Sequence, residues 1–306
     1  MERRRRELGP EDSSGRLSGL INKQLLDQKL LLISGKGGTG KSVLCASLAL
    51  LAQRQGRKVL TVAMGGSEGL AAHLSTGLLE HQPREIRPGL WASGVDRSKA
   101  LLEYLAVQIG LPMGGPLRLF ARAFDALAST APGVREVVTM GKVLWEVKQG
   151  AWDLVIVDGP PTGQLMSHLR APRTIRELVP TGRVRQQAEW MEGLLLDPAV
   201  TSLILVSLLE ELPASETQET IDLLEDASVV PAPVMVANRV LAPLEVPVPV
   251  PAGAVGEAAL LHQSLWEEQQ LWGRTLTVDA VLPFLFGLVT PGEVAARLAD
   301  CWEDQL

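Results

Sequence analysis

No stretch of about 18 uncharged apolar residues occurs in these 306 residues, so nothing in the chain reads as a bilayer-spanning helix. Cysteine is nearly absent. Cys45 and Cys301 lie far apart in apolar, helix-like contexts, which suits two buried thiols in a reducing cytoplasm. The four histidines (His73, His81, His168 and His262) are scattered and lack metal-ligand spacing. Positive charge is also short: 29 Lys and Arg against 35 Asp and Glu leave a formal charge of -6. Nucleic acid and anionic membrane surfaces are therefore not expected partners. The one basic run, MERRRR, leads into Pro10, Glu11, Asp12, Ser13, Ser14 and Gly15 and has no apolar stretch for a secretory signal. Residues 1–22 read as a disordered, solvated tail. No internal repeat is visible.

What is present is apolar substance. Hydrophobic residues make up 46% of the chain, enough for a sizeable core, and the length fits one α/β domain over 23–306 with a helical elaboration. Six short apolar runs alternate with longer helical stretches: KLLLIS at 29–34, VLTVA at 59–63, DLVIVD at 153–158, SLILVS at 202–207, PVMVAN at 233–238 and VDAVLPF at 278–284. Continuous apolar strands of this kind predict a mainly parallel, doubly wound sheet covered on both faces. Residues 98–150 carry three helical patterns without a strand signal. Residues 173–197 add one more helix, with Trp190, Met191, Leu194 and Leu195 on a stripe. Both belong to an expected α-helical subdomain inserted in the sheet domain. Capping boxes predict helix starts at Ser215-Glu216-Thr217-Gln218 and at Thr290-Pro291-Gly292-Glu293. The proline-rich stretch at 241–254 reads as a loop with polyproline character.

The chemistry begins at GKGGTGKS, residues 35–42. Gly35, Gly40, Lys41 and Ser42 satisfy G-x-x-x-x-G-K-[ST], and the loop follows an apolar strand and opens a helix running to Gln55 and ending near Gly56. In such a loop backbone N–H groups cradle phosphates, the lysine reaches β/γ oxygens and the hydroxyl takes Mg²⁺. Gly37, Gly38 and Thr39 complete the cradle. ATP and Mg²⁺ are the expected cofactors, and no other metal is supported. Lys36 is one lysine more than this work requires. The form K-G-G-x-G-K-[ST] resembles the deviant Walker A motif, in which the early lysine crosses a dimer interface to phosphate on the opposite subunit. A second cation near the β/γ bridge would stabilise charge developing in phosphoryl transfer.

A second loop follows the third apolar run in WDLVIVDGPPTG, residues 152–163. Asp158 fits a carboxylate holding Mg²⁺ through water, and Thr162 and Gly163 would sit beside the γ-phosphate and report its presence. With a deviant Walker A upstream, D-x-x-P-T-G resembles the arsenite-pump and tail-anchored-protein-targeting ATPases, the ArsA-like family. APG at 131–133, with Glu136, also looks like this family. The resemblance runs from Lys29 onward and is particularly close to a bacterial branch of paired, unequal ATPase subunits. It implies a P-loop NTPase fold, a cytoplasmic ATPase, and a homodimer or a heterodimer with a paralogous ATPase. An apolar protein client or membrane-protein partner is implied as well. It further implies that Asn238, at the end of a late strand, reads adenine, with Pro283 and Phe284 packing on the ring.

The resemblance departs at a third loop. The family carries D-P-A-H after the second strand, its aspartate orienting the attacking water. Here Ala63-Met64-Gly65-Gly66-Ser67-Glu68-Gly69 puts Gly65 in that place, and glycine has no base to offer. Either Glu68 substitutes, or hydrolysis is slow or depends on a partner's groups. Two cysteines also fall short of the clustered thiolates that arsenite takes, and the family's C-x-x-C zinc clamp is missing. Leu101, Leu102, Leu105, Leu117, Leu119, Phe120, Phe124 and Leu127 fall at helical spacing, as core or as a client groove.

Overall fold

The computed structural model describes residues 25–109, 133–244, 252–287 and 290–303. All six apolar runs form strands: β1 Leu30–Gly35, β2 Val59–Ala63, β5 Leu154–Pro161, β6 Thr201–Leu208, β7 Val234–Val240 and β8 Ala280–Pro283. A further pair, β3 Arg84–Arg87 and β4 Leu90–Gly94, was not foreseen. The eight strands form one sheet in the order β3-β4-β2-β5-β1-β6-β7-β8, and only the β3–β4 pair is antiparallel. The sequence hides that hairpin because β3 is an exposed, charged edge strand and β4 offers only short alternation about Leu90 and Ala92. Its turn uses Gly89 at φ 83°.

β1 lies between β5 and β6, with Leu30 opposite Val155 on one side and Thr201 on the other. Its side chains alternate between two cores. Leu30 and Leu32 join the core that holds Val137, Met140, Leu144 and Leu165, whereas Leu31 and Ile33 join Leu44, Leu48, Leu298 and Trp302. Burial on both faces makes the strand apolar throughout and erases the period-two pattern. Helices α1 Lys41–Arg54 and α9 Pro291–Glu303 pack together on the second face. The short α2 Glu68–His73 lies beside them. The first face carries α3 Arg97–Ile109, α4 Val134–Lys148, α5 Thr162–Leu178, α6 Arg183–Leu196 and α7 Glu211–Ala227. A long helix, α8 Ala254–Thr275, connects β7 to β8.

Two expectations are corrected. Residues 173–197 hold no single helix: α5 already begins at Thr162, runs through Pro172 and stops at Leu178, and α6 starts at Arg183. Pro180 and Gly182 supply the real break, Gly182 at φ 99°. The start proposed at Ser215 is also wrong, because α7 begins four residues earlier at Glu211 and keeps Pro213 in its first turn, where a missing N–H is harmless. The Thr290 box is realised: Thr290 N donates to Glu293 Oε2 at 2.7 Å, and Glu293 N returns a bond to Thr290 Oγ1 at 3.4 Å. On α6, Met191 and Leu195 are buried, with Trp190 and Leu194 packed against the same core. Leu101 is core and Leu102 packs on it. Leu105 lies among residues whose side chains are not described, and Leu117, Leu119, Phe120, Phe124 and Leu127 lie outside the described residues, as does the 1–22 tail.

A buried charge cluster ties α3 and α4 to the sheet domain. Lys142 Nζ reaches Glu146 Oε1 at 2.9 Å and Glu103 Oε2 at 3.1 Å, and His81 Nε2 lies 3.2 Å from Glu103 Oε1. Trp152 donates to Glu146 Oε2 at 3.1 Å. Burial alone would raise the Glu103 carboxyl, but His81 and Lys142 beside it hold it down at about 2. Its folded value lies below the ordinary 4.5, so its contribution to stability is present above about pH 4.5 and is lost as pH falls from there through about 2. Urea unfolding from pH 6 to pH 2.5 should therefore show an acid-side loss that Glu103→Gln flattens. An identical acid limb in the variant would remove Glu103 from the account.

Candidate active site

The phosphate loop leaves the C-terminal end of β1 and enters α1. β1 is flanked on both sides by parallel strands, and the crevice beyond such carboxyl ends is where open α/β sheets bind ligands. Space and backbone conformation dictate the glycines. A Cβ on Gly35 would run into the Val206 carbonyl, and Gly40, at φ 104°, lies against the Asn238 amide. Inside the loop, Lys41 Nζ donates to the Gly35 and Lys36 carbonyls at 3.1 and 3.0 Å. The Lys36 carbonyl also accepts from Thr39 Oγ1 at 2.9 Å. Burial lowers the Lys41 ammonium below its ordinary value, and Asp158 opposes that shift. Gly37 and Gly38 are uncrowded, Gly38 at φ 86°.

Asp158 reaches this loop from the neighbouring strand. It lies at the register where β5 meets both Ile33 and Ala63, and only 6% of its surface is exposed. Ser42 Oγ donates to Asp158 Oδ2 at 2.6 Å. Burial pushes the Asp158 carboxyl up, and the Ser42 bond, Lys41 and His73 pull it back. A half-stabilised buried carboxylate next to a hydroxyl and an ammonium fits the donor set that a hard divalent cation and a phosphate would satisfy.

Two more loops converge here. Gly159 approaches the Ile33 carbonyl too closely for a Cβ, and Ser34 Oγ donates to the Pro160 carbonyl at 2.7 Å. Pro161 then caps α5, so Thr162, which is buried, and Gly163, which is exposed, form the first turn of that helix. After β2, Met64 N bonds the Asp158 carbonyl at 3.0 Å and carries the third loop alongside. Gly65, Gly66 and Glu68 are exposed there, and the start of α2 sits against Ser42: a Cβ on Gly69 would meet Ser42 Oγ at 3.0 Å. Glu68 thus lies next to the site, with its carboxylate turned toward Gly66.

Asn238 and Lys36 each have partners within the chain. Asn238 is 2% exposed. Its Nδ2 donates to the Thr39 carbonyl at 2.8 Å and its Oδ1 accepts from Arg239 N at 2.9 Å. One polar end braces the loop at Thr39 and the other bonds its own chain neighbour Arg239, and reading adenine would require exchanging these bonds. Phe284 is 41% exposed just beyond β8 and meets Phe286 at a tilt of 55°, with ring centroids 4.7 Å apart. Lys36 points to α7, where Nζ meets Glu216 Oε1 at 2.6 Å. Sequence reasoning missed Glu216 and His73, since nothing in the motif specifies which helix lies opposite it.

Asn238→Ala should leave the Thr39 carbonyl without its donor and weaken binding of ATP, GTP and pyrophosphate alike, by about tenfold for a loss of about 1.4 kcal/mol. Isothermal titration with the three ligands checks this. A loss confined to ATP would make Asn238 a base reader instead.

Comparisons of the sequence with known proteins point to one family. A sequence model of the anion-transporting ATPase family (ArsA_ATPase) matches residues 28–189. ATPase BagA of Mycobacterium tuberculosis is 35% identical over 244 residues, covering 76% of this chain and 72% of that protein. ATPase GET3 of Ajellomyces dermatitidis is 32% identical over 166 residues, 51% of this chain and 47% of that one. An uncharacterised protein of Streptomyces coelicolor is 30% identical over 171 residues, 52% and 42% of the two chains.

Proposed function

Because this chain belongs to the anion-transporting ATPase family, we propose that it is a Mg·ATP-dependent switch ATPase whose working unit is a dimer. The 2.6 Å bond between Ser42 Oγ and Asp158 Oδ2 carries the reading. It brings the hydroxyl of the phosphate loop and a buried strand-end carboxylate to one point, beside the Lys41 ammonium. Ser42 and Asp158 would hold Mg²⁺, which when bound neutralises phosphate charge and orients the polyphosphate. The loop N–H groups and the N-terminus of α1 favour an anion there. Lys41 would give up the Gly35 and Lys36 carbonyls for phosphate oxygens, and Lys36 would serve the opposite subunit.

Thr162 and Gly163 would relay nucleotide state. They begin α5, which packs against α4, α6 and α7. Displacement of that first turn is therefore carried into the helical layer, through which an apolar protein client or membrane-protein partner would be handled. Arsenite is not proposed as a thiolate ligand. Cys45 is fully buried and its thiol is pushed well above its ordinary value, and the described residues hold no cluster of three or more His, Cys, Asp or Glu able to bind a metal ion. Among the described residues no helix is long and apolar enough to cross a membrane, and we place the protein's action in the cytoplasm.

A second reading rests on Gly65, which offers no carboxylate where the third loop meets Asp158. On it the chain is a nucleotide-binding regulatory subunit, paired with a paralogous ATPase that supplies the hydrolytic groups. Turnover by the purified protein across protein concentrations separates the two readings. A self-sufficient dimer shows turnover per subunit that climbs with concentration, is abolished by Lys41→Ala, and falls in Lys36→Ala with ATP binding nearly intact. If Glu68 positions the water, Glu68→Gln lowers turnover by about 10²-fold or more. Tight Mg·ATP binding without turnover selects the paired-subunit reading. Asp158→Asn should keep nucleotide binding and lose its Mg²⁺ dependence, seen as equal thermal shifts with ATP in Mg²⁺ and in EDTA.

A further inference from the structure

Lys36 has its backbone and its side chain committed to different structures. Its carbonyl faces into the loop and accepts from Lys41 Nζ and Thr39 Oγ1. Its side chain leaves the loop and crosses to α7, where Nζ meets Glu216 Oε1 at 2.6 Å. The Thr39 bond remains when Lys41 turns to phosphate, so the backbone stays held while the ammonium changes partners. Both side chains keep access to water, 28% and 38% exposed, so the pair is screened and its making and breaking are nearly balanced.

We propose that Glu216 is a positioning residue for Lys36, holding it on its own subunit until nucleotide draws it across the dimer interface. This rests on the dimer reading given above. To cross to another subunit the Lys36 side chain would turn away from α7, so the cross-subunit bond is made at the expense of the Glu216 bond. A lone carboxylate holds Lys36 against water but loses to the larger negative charge of a partner's polyphosphate with its Mg²⁺. The concentration at which ATP drives dimerisation is thereby raised by a residue outside the phosphate loop.

The arrangement also separates holding from catalysis. Glu216 sits in the second turn of α7, behind Glu211 and Pro213, and its backbone carbonyl accepts from Thr220 Oγ1 at 2.8 Å within the helix. Replacing its side chain leaves that helix and every bond inside the phosphate loop in place. The effect of removing the carboxylate should then appear in assembly and not in nucleotide affinity of the monomer.

Sedimentation velocity over a series of protein concentrations, with and without Mg·ATP, tests this on the full chain. Glu216→Gln is expected to lower the concentration for half-dimerisation in ATP, by about two- to fivefold for each lysine released and about the square of that for two. It should stay monomeric without nucleotide and bind ATP as the wild type does. Glu216→Ala, at a part-exposed helical position, should match it, and Glu216→Asp should return the midpoint toward wild type. If the wild type dimerises and Lys36→Ala does not, but both neutral Glu216 variants dimerise no more readily than wild type, Glu216 is no holder and the proposal is wrong. If wild type stays monomeric in Mg·ATP at every concentration, the dimer reading fails first and takes this inference with it.

Discussion

At the end of β1 the backbone passes so close to the Val206 carbonyl of β6 that residue 35 has no room for a Cβ. That contact sets the depth at which the phosphate loop leaves the sheet. β1 is held on the other side by β5, whose Asp158 stands level with Ile33. Register therefore fixes Asp158 relative to the loop, and the Ser42 bond at 2.6 Å follows from strand pairing and the first turn of α1. A one-residue slip of β5 would turn that carboxylate to the other face of the sheet. The site is precise because the sheet beneath it is buried on both sides and cannot slip.

The same crowding recurs around the loop. Gly40 rests on the Asn238 amide, Gly159 on the Ile33 carbonyl, and Gly69 beside Ser42. Each glycine lets a different loop approach the ends of the central strands, so three sequence-distant segments share one crevice. Their charges are unbalanced by burial: Asp158 is pushed toward protonation and Lys41 toward deprotonation, each partly rescued by the other. Shifts of this kind are expected of groups placed to bind phosphate and its cation.

Outside the crevice, the helical layer shares the core of the sheet. Met140, Leu144, Leu165 and Met191 lie in one cluster with Leu32 and Val157, and the ion cluster of Glu103, Lys142 and Glu146 adds direction to that packing. The helix that begins at Thr162 thus has one end at the phosphate crevice and its flank in the helical layer. On the proposed relay, a shift at one end would pass through packed side chains, because a dense core leaves no gap to absorb it.

Several features were legible from residue order alone. All six apolar runs became strands, and GKGGTGKS and the Asp158 loop came together as their strand-then-helix contexts imply. The Thr290 box capped its helix because its two bonds are local. By itself, the sequence determined the α/β class, the phosphate-binding loop and the family, since these rest on short-range pattern and composition. Only the tertiary structure decided what lies across from each side chain: that Lys36 meets Glu216, that the Asn238 amide braces the Thr39 turn, and that α7 starts at Glu211. It also decided that a charged edge hairpin closes the sheet. These outcomes depend on contacts between segments tens to nearly two hundred residues apart, or on packing that overrides local helix and strand preference, and no local pattern encodes either.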